Sequence, residues 1–397
     1  MKLETLPEEF VRALPVLEKI NQAGFDAYFV GGSVRDALLN RPIHDVDIAT
    51  SAYPEEIKQI FPHTVDIGIE HGTVLVLFGK TENEHYEITT FRTESTYTDY
   101  RRPDSVDFVR ELSEDLKRRD FTINAFAMDK NGEIIDLFDG LSDLTEQRLK
   151  AVGKASERFN EDALRIMRGL RFAANLNFEI EAKTLSAMTD LAPLLTKISI
   201  ERIFIEFEKL LCAPHFRRGI ELLLETKAYQ YLPFVEEKAL KNVLSDLTEN
   251  FTFDSSELAF AALLVKSDEK NVKKFLKAWK VSNHFMNDVS DLTAAYQEKT
   301  WNLENIYRFG LKKAQQIDQL KRAEGLKIDE NQAVKFDELL QIHDKSEINC
   351  TGKDLMAAGI PAGPQLGQLL KTIEAKIVRN ELKNNRNEIL TFVKEQK

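Results

Sequence analysis

Cysteine is nearly absent: Cys212 and Cys350 are the two in 397 residues. Neither a disulfide framework nor a zinc cluster can be built from them. Long hydrophobic runs are missing too. The longest purely apolar stretch, Leu258 to Val265, is far short of the ~20 residues a membrane-spanning helix needs. The N-terminal residues from Met1 to Phe10 carry too many charges for a secretory signal, so a reducing cytoplasm is the expected location. Positive charge is in deficit, with 54 Lys and Arg against 65 Asp and Glu and a net charge of −11. That balance argues against indiscriminate binding to nucleic acid. No sequence repeat and no low-complexity linker divides the chain.

Two segments run against the overall charge. Arg148 to Arg171 holds seven basic residues against three acidic, and Lys353 to Lys397 holds eight against five. An acidic protein with local basic patches can hold a particular RNA and release it at physiological salt, although ordinary helix surface would look the same.

A chain of 397 residues predicts more than one domain. Strand signals fall in the first 150 residues, at 45–49, 73–78, 84–91 and 105–109. From about Leu149 the apolar period changes to that of helices. Amphipathic segments are expected around 157–175, 182–192, 200–211, 216–228, 256–278, 303–323, 364–380 and 385–395. The fold class is therefore α+β, a small mixed-sheet head followed by an all-helical remainder.

The densest chemistry lies between Tyr28 and Thr50. A short buried strand ending at Val30 runs into Gly31, Gly32 and Ser33 and then a helix over Val34–Leu39. The glycines allow a tight turn, and Ser33 with the first helical amides would face a phosphate. Asp45 and Asp47 follow, alternating with Val46 and Ile48, so a half-buried strand would project both carboxylates from one face. Such hard oxygens suit Mg2+ shared with a triphosphate. Glu87 sits in a later strand as a third carboxylate candidate. Gly31 to Asp47 spans 17 residues in the order strand, turn, helix, acidic strand, which is far more specific than either half alone. The pattern resembles the nucleotidyltransferase superfamily related to DNA polymerase β.

Two further segments carry cations. In Arg118-Arg-Asp-Phe-Thr-Ile-Asn-Ala125 the arginines either grip phosphate or pair with Asp120. In the helix expected to start near Glu161, Asp162, Arg165, Arg168 and Arg171 recur every third residue, opposite a stripe of Ile166, Met167, Leu170, Ala173 and Ala174. Three arginines with one counter-charge predict a missing anion. Asp162 and Arg165 also form an acceptor–donor edge. Cytosine and adenine present an amine beside an unprotonated ring nitrogen and match it, whereas uracil and guanine do not. Each misplaced polar contact costs about 1–3 kcal/mol.

The combination of Gly31–Asp36, Asp45–Asp47, Arg118–Ala125 and Glu161–Arg165 resembles the bacterial class II CCA-adding enzymes, tRNA nucleotidyltransferases. Asn349–Met356 and Gly359–Gly367 are similar to that family's C-terminal region. The resemblance implies a catalytic head (1–148), a nucleotide-selecting neck (149–212), a helical body (213–302) and a tail that holds the tRNA elbow (303–397). It implies that Asp45 and Asp47 hold Mg2+ as metal and catalytic ligands. Gly32, Arg35 and Arg119 would contact the nucleotide, Asp162 and Arg165 would select CTP and then ATP, and Arg168 and Arg171 would reach the triphosphate. Arg101, Arg102 and Asp104 would lie in a loop needed for the switch to ATP. The implied partners are tRNA, through its acceptor stem and elbow, with CTP and ATP and no membrane; a homodimer is carried forward, the oligomeric state being left open.

Rivals stay in view. A poly(A) polymerase of the same superfamily carries an Arg-Arg-Phe signature where this chain reads Val65-Asp-Ile-Gly-Ile-Glu-His-Gly72. Enzymes adding only CC or only A, and a silent RNA-binding scaffold, are the others.

Overall fold

Helix α1 (Glu8–Gln22) follows Pro7, and Phe10, Ala13, Val16, Leu17 and Ile20 are all fully buried on one stripe. That stripe lies against a sheet, with the Phe10 ring centroid 4.6 Å from that of Phe29. The computed structural model describes residues 1–78, 85–94 and 106–395. The segment Thr96–Ser105, with Arg101, Arg102 and Asp104, lies outside the described residues. The chain divides into two units, Met1–Leu232 and Pro233–Lys397.

The first unit starts with nine strands: β1 (Ala27–Val30), β2 (Ile48–Thr50), β3 (Thr64–Gly68), β4 (Thr73–Leu77), β5 (His85–Thr90), β6 (Arg92–Glu94), β7 (Val106–Phe108), β8 (Phe126–Met128) and β9 (Ile134–Asp136). Helices α2 (Gly32–Leu38), α3 (Pro54–Ile60), α4 (Leu112–Lys117) and α5 (Gly140–Thr145) are interspersed. Seven strands form one mixed sheet in the order β3-β4-β5-β2-β1-β8-β9. β2 and β5 run parallel, with Ile48 opposite Ile88, and the other pairs are antiparallel. Strand alternation gives the sheet two faces. The back carries Phe29, Ile48, Val74, Val76 and Ile88, all buried beside α1 and α3. The front carries Val30, Ala49 and Ala127, packed with Phe91 and Leu116.

The acidic strand is shorter than expected. β2 begins at Ile48, where pairing to both Phe29 and Ile88 begins, so Asp45 and Asp47 precede it. Asp47 is still tied to β1, its carbonyl accepting from the Val30 amide at 3.1 Å.

The rest of this unit is β10 (Arg148–Leu149), β11 (Glu179–Ile180) and helices α6 (Ala155–Glu161), α7 (Leu164–Leu176), α8 (Ala182–Leu191), α9 (Ile200–Leu211) and α10 (Phe216–Glu225). The predicted stripe of α7 is fully buried from Ile166 through Ala174. The single helix expected over 157–175 is two. Asp162 adopts an extended conformation between them and caps the second, its Oδ1 accepting from the Leu164 amide at 3.0 Å.

The second unit is helical: α11 (Glu237–Asp246), α12 (Ser256–Lys266), α13 (Val272–Ala278), α14 (Asn283–Tyr296), α15 (Leu303–Phe309), α16 (Leu311–Ala323), α17 (Gln332–Leu339), α18 (Gly352–Ala357), α19 (Pro364–Val378) and α20 (Arg386–Glu395). Trp279 is fully buried edge-on to Phe260 at 5.4 Å. The segment 303–323 breaks at Gly310, whose φ of +80° suits glycine. Among the described residues no helix is long and apolar enough to cross a membrane. The mixed-sheet head with a helical remainder agrees with the α+β expectation.

Candidate active site

β1 delivers the chain to Gly31, where φ is +72°. A side chain there would be strained, and its Cβ would stand 3.0 Å from Arg119 Nη1. The turn thus places backbone directly beside a guanidinium. Ser33 differs from expectation: it is buried, and its hydroxyl donates to the Val30 carbonyl at 3.0 Å, so it braces the turn.

Gly31 and Gly32 open a cleft of about 500 Å³, a volume suited to a small-molecule ligand. Seven arginines line it (35, 92, 118, 119, 165, 168 and 202) against three aspartates (47, 120 and 162). Of the residues singled out by sequence, Gly32, Arg35, Asp47, Arg119, Asp162, Arg165 and Arg168 are brought together here. Asp45 and Arg171 are not among the lining residues.

Asn124 organises one wall. Its side-chain oxygen accepts from Arg35 Nη1 at 2.5 Å and its amide donates to Asp120 Oδ1 at 3.2 Å, while its backbone carbonyl accepts from Arg119 Nη1 at 3.4 Å. Burial lowers the pKa of Arg35, opposed by its bidentate pairing with Asp36. Arg118 and Arg119 share a counter-charge other than the neighbouring Asp120. Both reach the fully buried Asp115, at 2.8 and 3.0 Å, because the final turn of α4 puts Asp115 three and four residues before them. Arg119 Nε is buried without a hydrogen-bond partner.

Asp120 is taken by Arg168 at 2.7 Å across 48 residues. Burial alone would raise this carboxyl, but Arg168 and Arg165, with hydrogen bonds from Arg168 and Asn124, hold it at about 2. The expectation of three arginines sharing one counter-charge is overturned. Arg165 pairs with Glu161 at 2.9 Å and donates to the Arg118 carbonyl at 2.8 Å, and Arg171 pairs with Glu206 at 2.5 Å. Asp162 meets Arg202 of α9 at 2.6 Å. Arg202, Asn124, Glu161 and Glu206 were missed by sequence reasoning. Asn124 stood in a quoted motif, whereas Arg202 is 40 residues from its partner and leaves no local pattern.

Asp47 opens to the cleft, yet burial of its carboxyl raises its pKa; Arg119 opposes this, and Glu87 and Asp45 reinforce it. Asp47 therefore feels two neighbouring carboxylates, and a cation would relieve it. Among the described residues no three His, Cys, Asp or Glu side chains form a complete metal cage. Asp45 and Asp47 offer hard oxygens, the donor type Mg2+ takes.

Family models match in three places: the poly A polymerase head domain over residues 27–150, the model described as "probable RNA and SrmB-binding site of polymerase A" over 177–238, and tRNA nucleotidyltransferase domain 2 over 251–393. The CCA-adding enzyme of Lactococcus lactis subsp. lactis (strain IL1403) is 65% identical over 395 residues, 99% of each chain. That of Streptococcus mutans serotype c is 57% identical over 403 positions, covering 100% of both. A crystal structure of the Bacillus stearothermophilus CCA-adding enzyme in complex with CTP superposes with a TM-score of 0.86, at 38% identity over 98% of each chain. With the glycine turn, the arginine-lined cleft and full-length identity in agreement, the chain belongs to the family of CCA-adding enzymes, the tRNA nucleotidyltransferases.

Proposed function

We propose that the cleft at Gly31–Gly32 adds C, C and A in turn to the 3′ end of tRNA, using CTP and ATP, in the cytoplasm. The observation that carries this reading is the cleft itself, where seven arginines and Asp47 meet around a glycine turn in a chain of this family. The tRNA 3′-hydroxyl attacks the α-phosphorus in line. A new O3′–P bond forms, the bond from the α-phosphorus to the bridging oxygen breaks, and pyrophosphate leaves.

Gly32, Arg35 and Arg119 hold the triphosphate, and the unpartnered Arg119 Nε gains an acceptor there. Arg168, fixed by Asp120, faces the same space. Arg171 acts from behind by fixing Glu206. Asp45 and Asp47 would hold Mg2+ through their hard carboxylate oxygens. Bound there, Mg2+ would supply Lewis acidity to lower the pKa of the attacking hydroxyl and positive charge to offset that of the phosphates. Asp162 accepts from the exocyclic amine of C or A while Arg165 donates to the ring nitrogen, Arg202 and Glu161 setting their positions. We assign residues 1–148 to the catalytic head, 149–212 to the neck, 213–302 to the body and 303–397 to the part that holds the tRNA elbow.

The test supplies tRNAs ending before CCA, after C and after CC, each with one nucleotide at a time. Incorporation of C, C and then A is expected. Addition of U or G, or addition of A to the tRNA ending in CC with no C added to the two shorter tRNAs, would overturn the reading.

A further inference from the structure

The segment that separates this chain from the poly(A) polymerase pattern, Val65 to Gly72, forms β3 and a short turn into β4. On β4 the alternation is one-sided: Val74 and Val76 are fully buried on the back, whereas Leu77 is 42% exposed on the front. On the edge strand β3, Asp66 faces the back and pairs with Lys58 of α3 at 2.9 Å. Val65 and Ile67 are 46% and 48% exposed. Register carries this apolar front toward the chemistry, because Val65 lies opposite Leu75, and Leu75 opposite Glu87. Glu87 acts on Asp47. The apolar stripe thus starts two strands, roughly 10 Å, from a carboxylate of the site.

The stripe is also tied to the cleft. Arg92 lines the cleft, and its guanidinium donates to the carbonyl of His71 in the β3–β4 turn. A hydroxyl that attacks at Asp47 must arrive on the front of the sheet, because the back is filled by α1 and α3. The last nucleotide of the acceptor then has an exposed aliphatic surface beside it. Nucleobases present flat apolar faces, and contact with them is indifferent to base identity. An acceptor end that changes from the discriminator base to C and then CC requires that indifference.

We infer that Val65, Ile67, Leu75 and Leu77 form a platform on which the unpaired 3′-terminal bases of the RNA acceptor rest, aligning the 3′-hydroxyl with the nucleotide cleft. This rests on the proposed function and adds the acceptor's seat to it.

The experiment measures KM for a tRNA lacking CCA and KM for CTP separately, on the full chain. The Val65→Ser/Ile67→Ser double variant is compared with Ile67→Val, alongside thermal unfolding and gel filtration. The double variant is expected to raise the acceptor KM about tenfold, with the CTP KM, melting temperature and elution volume unchanged, and Ile67→Val to behave as the parent. Active variants with an unchanged acceptor KM would overturn the platform. So would a change of oligomeric state in the double variant, which would make the stripe a contact between copies. A parent chain that incorporates no CTP would overturn the proposed function instead, so the two failures are distinguishable.

Discussion

Both units bury charge, but they do so differently. In the second unit the ionic groups close on one another. Lys266 bridges Asp246 and Glu324 at 2.8 and 2.7 Å, the Tyr296 hydroxyl donates to Glu324 at 2.6 Å, and Trp301 Nε1 donates to Asp318 at 2.8 Å. Such closed networks cost desolvation and are strongly destabilised when one member is removed. In the cleft of the first unit, pairing is nearly as dense but leaves two openings. The acids that hold its arginines include Asp36, Asp115, Glu161 and Glu206 behind the lining, yet Arg119 Nε has no hydrogen-bond partner, and the pKa of Asp47 is raised by burial and neighbouring carboxylates. A closed network specifies a fold. An open one leaves work for an anion and a cation to complete.

That contrast breaks most sharply at the carboxylates. Asp45→Ala should lower incorporation of labelled CTP by at least ~10³-fold, since it removes a metal-holding oxygen without touching the core; near-parental turnover would refute the metal assignment. Asp120→Asn removes the nearer carboxylate on Arg168 and leaves Glu206 at 3.7 Å; it should cost about 3 kcal/mol, read by denaturant unfolding. The same carboxyl has a signature in pH. Its folded value of about 2 lies below the ordinary 3.8 of a free aspartate, so its contribution to stability is present above about pH 4 and is lost as pH falls toward 2. An acid titration of stability in which the Asn variant loses less than the parent over that window is the expected result. In the second unit, Glu324→Gln should cost about 1–3 kcal/mol while leaving the choice among nucleotides intact. Altered base selection in that variant would erase the distinction between the units. Asp162→Ala removes the α7 cap and the Arg202 pair, so it should cost about 1 kcal/mol of stability and about tenfold in discrimination between C and U, measured by competing nucleotides.

Local patterns in the sequence carried much of this. The turn at Gly31 was legible because only glycine accepts its φ beside Arg119, and the buried stripe of α7 because its period is helical. The partners of the arginines were not. Asp120–Arg168, Glu206–Arg171 and Asp162–Arg202 join residues 48, 35 and 40 apart, and no local periodicity records such pairs. The same blindness made the arginines look short of counter-charges. The break at Asp162 was missed because an apolar period continues across it. Its cause is a side chain used as a cap rather than as a member of a helical face.

One adjacency in the sheet has a consequence for how far such a chain can vary. Because β2 and β5 run in the same direction, both begin at one rim, and Asp47 and Glu87 come side by side although 40 positions separate them in sequence. Antiparallel neighbours would have begun at opposite rims. The intervening excursion through α3, β3 and β4 can therefore lengthen or shrink while the two acidic groups stay together. A slip of one residue between Ile48 and Ile88 would instead turn Glu87 to the far side of the sheet.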